Sequence, residues 1–126
     1  MSTELNMAML RRWFEGWSTR DVSVMDALVD EHYAADFMVY DNAQPGAVIG
    51  RAGVKQFVRD SLARTPDVHL AIEEIVAAGE TAAARITVTG TAAATGKRTR
   101  LLVMEFYRFV DGKLAELWHL AIPGDD

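Results

Sequence analysis

Hydrophobic positions in residues 3–17 recur at helical spacing. Leu5, Met9, Leu10, Trp13, Phe14 and Trp17 form one broad stripe, and Ser2 or Thr3 can cap its start. The pattern breaks over residues 18–21. It resumes as a second helix over 22–33, capped by Asp21 or Ser23, with Val24, Met25, Leu28 and Val29 facing inward. A short strand follows at 36–40, then a loop at 42–50 carrying Pro45 and Gly46. A third helix over 51–64 turns Val54, Phe57, Val58 and Leu62 inward, and Thr65-Pro66-Asp67 ends it. From there the period falls from helical to two. Strands are predicted at about 68–78 and 81–93, turning at Gly79-Glu80 and Thr95-Gly96-Lys97. Residues 123–126 read as a frayed tail.

The last quarter, residues 99–122, carries the clearest pattern. Two runs rich in branched and aromatic residues flank Asp111-Gly112, which marks a hairpin. Alternation puts Leu101, Val103, Glu105, Tyr107 and Phe109 on one face of the first strand. Ala115, Leu117, His119 and Ala121 share one face of the second. Both faces of both strands are mostly apolar, which predicts a central hairpin covered on each side. Helices first and antiparallel strands last predict an α+β fold, with helices on one face of a curved sheet. No linker or repeat interrupts residues 1–126, so one domain is expected.

Composition narrows the function. The net charge of -5 argues against a nucleic-acid partner, because phosphate binding needs a basic face. Without cysteine there is no disulfide frame and no thiolate zinc site, and His32, His69 and His119 lack a metal-ligand spacing. No metal or cofactor is implied. No apolar run is long enough to span a bilayer and no signal-peptide pattern opens the chain, so a cytoplasmic location is the default.

Against that background two polar residues stand out. Glu105 sits among Val103, Tyr107 and Phe109, and His119 between Leu117 and Ala121. A carboxyl group and an imidazole in apolar faces are costly unless partnered, so both are candidate acid–base groups. Glu105 reads either as an acid donating to a developing enolate or as a salt-bridge partner of Arg85. His119 reads as a proton shuttle or as a core histidine bonded to a carbonyl. Trp13, Trp17, Phe37 and Met38 read as pocket mouth or as core. An apolar strip of Leu114, Trp118, Leu120 and Ile122, opposite His119, predicts a homodimer through the outer sheet face.

Four strings carry a resemblance: W-F-E-G-W-S-T-R-D at 13–21, Y-A-A-D-F-M-V-Y-D at 33–41, G-R-A-G-V-K-Q-F at 50–57 and E-F-Y-R-F-V-D-G-K-L-A-E-L-W-H at 105–119. The chain resembles the SnoaL-like polyketide cyclases and ketosteroid isomerases of the nuclear-transport-factor-2-like superfamily. The resemblance implies a cone-shaped α+β fold and a cofactor-free enzyme, a cyclase or isomerase, acting on a small hydrophobic, polyketide-like carbonyl substrate. It implies that Asp41 takes the place of the general base of ketosteroid isomerases, and Glu105 that of their oxyanion-hole acid. Trp13 stands where their oxyanion-hole tyrosine lies. His119 falls where the cyclases carry a catalytic acid. Tyr40, Asn42 and Arg85 match positions of limonene-epoxide hydrolases, whose two carboxylates are replaced here by Thr87 and His119. The expected site is therefore Asp41, Glu105 and His119, with Trp13, Trp17, Phe37, Tyr40, Asn42, Arg85, Val103 and Tyr107 around the substrate. A binding or dimerisation module of the same fold is the alternative. The two readings differ in whether the three acid–base groups converge on one open cavity.

Overall fold

The computed structural model describes residues 3–42 and 44–124. Among these residues the order is α1 (Thr3–Thr19), α2 (Val22–His32), β1 (Tyr33–Asp41), β2 (Ala47–Val48), α3 (Gly50–Arg64), β3 (His69–Ala78), β4 (Thr81–Thr91), β5 (Arg98–Val110) and β6 (Lys113–Pro123). This is the expected α+β architecture. Asp21 caps α2, its Oδ1 accepting from Ser23 N at 2.9 Å and Val24 N at 3.4 Å. The alternative cap at Ser23 is not used, and a cap at Ser2 lies outside the described residues. Tyr33, expected to end α2, instead opens β1, which is longer than the predicted strand and pairs there with Leu114. The expected 42–50 loop also holds the two-residue strand β2.

The six described strands form one mixed sheet in the order β2-β1-β6-β5-β4-β3. All neighbours are antiparallel except β1 and β6, which run parallel. The last strand therefore lies between the hairpin partner β5 and the early strand β1, near the middle of the sheet. Register shifts in β1, β3 and at the β5–β6 pair bend the strands, as bulges do. The sheet and its three helices make the cone.

The core fills the inner side. Leu10, Met25, Val29, Phe37, Val58, Ile86, Tyr107, Phe109 and Leu114 are almost wholly buried there. Each such side chain contributes about 1.5–3 kcal/mol of burial free energy. Three residues expected on inward helical stripes are exposed instead: Leu5, Val24 and Phe57. Phe57 meets Trp17 edge-on at 6.3 Å and lines the inner cavity, so its position is a mouth rather than a core.

The expectation that the hairpin is covered on both faces is not met. The helices pack on the inner face only. Leu102, Met104 and Phe106 of β5, and Trp118, Leu120 and Ile122 of β6, are 38–61 % exposed on the outer one. A groove of about 380 Å³ runs over Leu102, Met104, Leu120 and Ile122.

Candidate functional site

Between the helices and the inner sheet face lies an open cavity of about 440 Å³. Its wall is largely aromatic and aliphatic. Trp13 meets Trp17 edge-on at 6.0 Å and Tyr33 at 5.1 Å, and Tyr33 meets Phe37 at 4.9 Å. These tilted contacts suit the ring quadrupoles and hold the wall in one arrangement. Of the predicted residues, Trp13, Trp17, Phe37, Asp41, Asn42, Val103, Glu105, Tyr107 and His119 all line this cavity.

Register brings the acid–base groups together. His119 of β6 stands directly opposite Glu105 on β5 and opposite Asp41 on β1. His119 Nδ1 lies 2.6 Å from Glu105 Oε2. The Tyr107 hydroxyl donates to the other carboxylate oxygen, Oε1. Burial first, then the Glu105 charge and hydrogen bond, raise the Tyr107 pKa well above 10.0, so this phenol stays a proton donor. Both Glu105 oxygens are thus engaged. With the proton on Nδ1, Glu105 accepts twice, fixes the imidazole tautomer and leaves Nε2 as the ring atom for a ligand.

The His119 pKa is set by opposing effects. Burial, the largest, pulls it down. The hydrogen bond and charge of Glu105, aided by the charge of Asp41, outweigh burial and raise it above 6.5. Asp41 itself is exposed, at the cavity mouth.

Asn42 locks the strand end that carries Asp41. Its φ of 47° lies in the left-handed region, which asparagine tolerates better than most residues. Its backbone N–H donates to His119 O at 2.7 Å, and its side-chain Oδ1 accepts from Ala121 N at 2.8 Å. The β1–β6 pairing is thereby carried past Asp41, from His119 to Ala121.

Two predicted residues are elsewhere. Tyr40 lies on the outer face, stacked on Trp118 with centroids 3.8 Å apart and planes 8° from parallel. Gly46 is packed against it, since a Cβ there would fall 2.4 Å from the tyrosine ring. Arg85 also points outward. Its strand neighbour Ala84, not Arg85, stands opposite Glu105, and its guanidinium lies 3.8 Å from Glu74. The alternative reading of Glu105 as a salt-bridge partner of Arg85 is therefore not met: Glu105 pairs with His119, and Arg85 with Glu74. A one-residue difference on β4 sends the two side chains to opposite faces.

Sequence reasoning missed Tyr33, Leu117, Ser61 and Arg64 on the cavity wall. Tyr33 is 3 % exposed, and burial, then the Glu105 charge, raise its pKa well above 10.0. It was hidden because it was read as helical. Had it been read as strand, its position two turns of the pleat before Phe37 would have flagged it. Among the described residues no group of three His, Cys, Asp or Glu side chains is placed to hold a metal, and no helix is long and apolar enough to cross a membrane.

With the geometry in hand, comparison with known proteins identifies the class. The profile of the SnoaL-like domain matches residues 10–117, and the chain belongs to that family. Among solved structures, AclR of Streptomyces galilaeus, a proposed hydroxylase, is 26 % identical; the match covers 96 % of this chain and 77 % of AclR, at a TM-score of 0.80. A proposed SnoaL-like polyketide cyclase from Jannaschia sp. CCS1 is 16 % identical over 94 % of this chain and 86 % of its own, at a TM-score of 0.83. TsrD of Streptomyces laurentii is 17 % identical over 96 % and 90 %, at a TM-score of 0.81. The likeness to the last two speaks for the fold alone. No protein of curated function matches the sequence.

Proposed function

We propose that this protein is a cofactor-independent acid–base enzyme, a cyclase or isomerase, acting on a hydrophobic, polyketide-like carbonyl substrate. The observation that carries the reading is the His119–Glu105 pair on the cavity wall, in register with Asp41. Membership of the SnoaL-like family supports it.

In this mechanism the apolar wall folds the substrate so that its carbonyl oxygen meets His119 Nε2. Asp41 removes the proton alpha to the carbonyl. His119, held in its protonated form by Glu105, donates to the enolate oxygen as charge develops. Glu105 is then a positioning residue rather than the enolate donor, because both its oxygens are occupied as acceptors. The enolate either attacks within the same molecule or is reprotonated elsewhere. Trp13, at the helix position of the oxyanion-hole tyrosine of ketosteroid isomerases, packs into the wall against Tyr33. The oxygen-stabilising role accordingly passes to the other side of the cavity. A homodimer through the exposed outer sheet face completes the proposal.

The test is a screen of polyketide-like carbonyl compounds for turnover, repeated with Asp41→Asn and His119→Gln. Loss of turnover in both, with folded protein and retained binding, supports the reading. Full activity in Asp41→Asn with none in His119→Gln would move the base to the last strand. Binding without turnover of any compound would leave a ligand-binding module.

A further inference from the structure

The cavity is electrically two-ended. One end holds Asp41, Glu105 and His119. The other is lined by Ser61, Arg64 and Thr65, at the C-terminal end of α3, together with Leu101 at the open end of β5. Leu101 lies four residues before Glu105, about 13 Å along the strand at ordinary strand rise. A cation at a helix C-terminus is favoured by the helix dipole, and that accounts for a basic residue at the end of α3. It does not account for the state of this one.

The Arg64 guanidinium has no hydrogen bond or ion pair among the described residues; only its backbone carbonyl is used, accepting from Ala93 N at 2.8 Å. The Arg11 guanidinium is likewise without one but is not on the cavity wall, whereas seven other arginines of the fold are engaged. Arg12, Arg59, Arg85, Arg98 and Arg108 face carboxylates, and Arg20 and Arg51 donate to backbone carbonyls. Asp67, the carboxylate closest to Arg64 in sequence, is already committed. It accepts from Thr91 N at 2.7 Å and faces Arg98 at 3.6 Å. Arg64 is exposed where it lines the cavity, and a guanidinium without a protein partner beside Ser61 and Thr65 has the donor geometry to take a planar anion from solvent.

We propose that Arg64 recognises a carboxylate on the substrate. The substrate is then an amphipathic keto acid, its carboxylate at Arg64 and its reacting carbonyl at His119. The acidic end formed by Asp41 and Glu105 repels a carboxylate, so the two ends together fix which way round the chain enters. The assignment rests on the His119 end being the reacting end, but its test does not depend on turnover.

Decanoate and methyl decanoate share chain length and differ in charge. Their binding can be followed by the fluorescence of Trp13 and Trp17 on the cavity wall, at a pH well above the acid's pKa. The wild-type protein is expected to bind decanoate roughly three- to tenfold more tightly than the ester. Arg64→Met should erase that preference while leaving ester binding unchanged, which also reports an intact cavity. Arg64→Lys should retain part of it, and His119→Gln all of it. The proposal is overturned if the ester binds as tightly as the acid, if neither probe binds, or if the preference survives in Arg64→Met. It is overturned equally if the preference disappears in His119→Gln, which would mean that the imidazole reads the charge. A preserved preference with no turnover of any carbonyl compound would instead count only against the enzyme reading.

Discussion

The two faces of the same strands differ more than any two regions of the chain. On the inner face Asp41, His119 and Glu105 stand in register across β1, β6 and β5, with Glu105 and His119 set into the cavity wall and Asp41 exposed at its mouth. One residue away on the outer face, Met104, Phe106 and Trp118 are open to solvent and Tyr40 is half-buried against Trp118. Each face is thus the inverse of what burial alone would select. Polar groups cost free energy inside unless they bond one another, and large apolar groups cost free energy outside unless something covers them. The inner exception is resolved within the chain, by the Glu105–His119–Tyr107 network. The outer exception has no such resolution among the described residues, and the proposed homodimer would supply one. The inside is where chemistry is expected and the outside is where association is expected.

The largest effect should come from breaking the inner constellation. Asp41→Asn keeps shape and hydrogen bonding but removes the basic lone pair, and should lower turnover about 10²-fold or more with little change in binding. His119→Gln should also lower turnover, since it keeps a neutral donor but removes the charged one that stabilises the enolate. Steady-state kinetics on a turned-over carbonyl compound checks both. Equal loss of binding and turnover would mean that these residues build the cavity rather than act in it.

How far this division of faces was legible in the sequence depends on which physical signal each residue left. The helices and the β5–β6 hairpin were readable because their periodicity is long and Asp111-Gly112 marks the turn; Asp111 adopts a φ of 51° and Gly112 one of 77°, as such a turn demands. Glu105 and His119 were readable as polar breaks in apolar faces. Tyr40 was misplaced although the rule that corrects it is local: Asp41 and Tyr40 are adjacent on β1, so they cannot share a face. Arg85 was a different failure. Its side was readable, since Arg85 shares a face with Thr87 and Thr89 and alternates with Ala84, Ile86 and Val88, but its partner across the pair depends on the β4–β5 register, which the turn at 92–97 sets. The parallel pairing of β1 with β6 was equally invisible, because it joins residues nearly 80 apart, as Asn42 and Ala121 show. That pairing is what brings Asp41 to His119.

A second and smaller effect should appear on the outer face. If two copies meet there, Trp118→Glu should weaken association about 30-fold or more, since a central tryptophan commonly carries 2 kcal/mol or more of an interface. Sedimentation velocity across a concentration series measures this. Turnover at saturating protein concentration should change little. A wild-type protein that stays monomeric at micromolar concentration would remove the basis for the outer half of the comparison.

Two half-buried histidines sharpen the point by titrating in opposite directions. His32 lies at the end of α2; its buried Nε2 has no hydrogen-bond partner among the described residues and lies 3.6 Å from Glu31 Oε1. Burial, opposed by Glu31, lowers its pKa. His119, with Glu105 on its Nδ1, is raised. The signs follow by linkage. The contribution of His119 to stability is fully present below the unfolded-state histidine pKa and is lost as pH rises through its raised folded value. His32 favours the folded state above the unfolded pKa, and that contribution is lost as pH falls through its lowered one. Imidazole NMR should therefore show one resonance titrating above a free histidine and one below. Glu105→Gln should bring His119 down, since burial then acts without the carboxylate, and any falling alkaline limb of the turnover profile should move to lower pH with it. His119 unmoved in Glu105→Gln would mean that Asp41 sets its charge.

The smallest effect is expected at Arg85, and it tests the comparison because it lies beside the site in sequence pairing yet on the wrong side of the sheet. The Arg85–Glu74 contact is 3.8 Å long and both side chains are more than half exposed. Such a pair is worth about 0–1 kcal/mol, since water screens it and ordering two long side chains costs entropy. Arg85→Met keeps the aliphatic stem against Leu102 and Met104 in the outer groove and removes only the charge. It should leave turnover unchanged and move the melting temperature by no more than a few degrees. The neighbouring inner position gives the contrast. Ala84 is 4 % exposed and faces Glu105, so Ala84→Met would have to push its side chain into the cavity wall, where overpacking costs about 1–3 kcal/mol and displaces the acid–base network. Two substitutions to the same side chain, one residue apart, should therefore differ in both stability and turnover. If Arg85→Met instead impairs turnover as Ala84→Met does, the sheet is not a partition between chemistry and association, and the charge on its outer face reaches the site through the backbone that the two faces share.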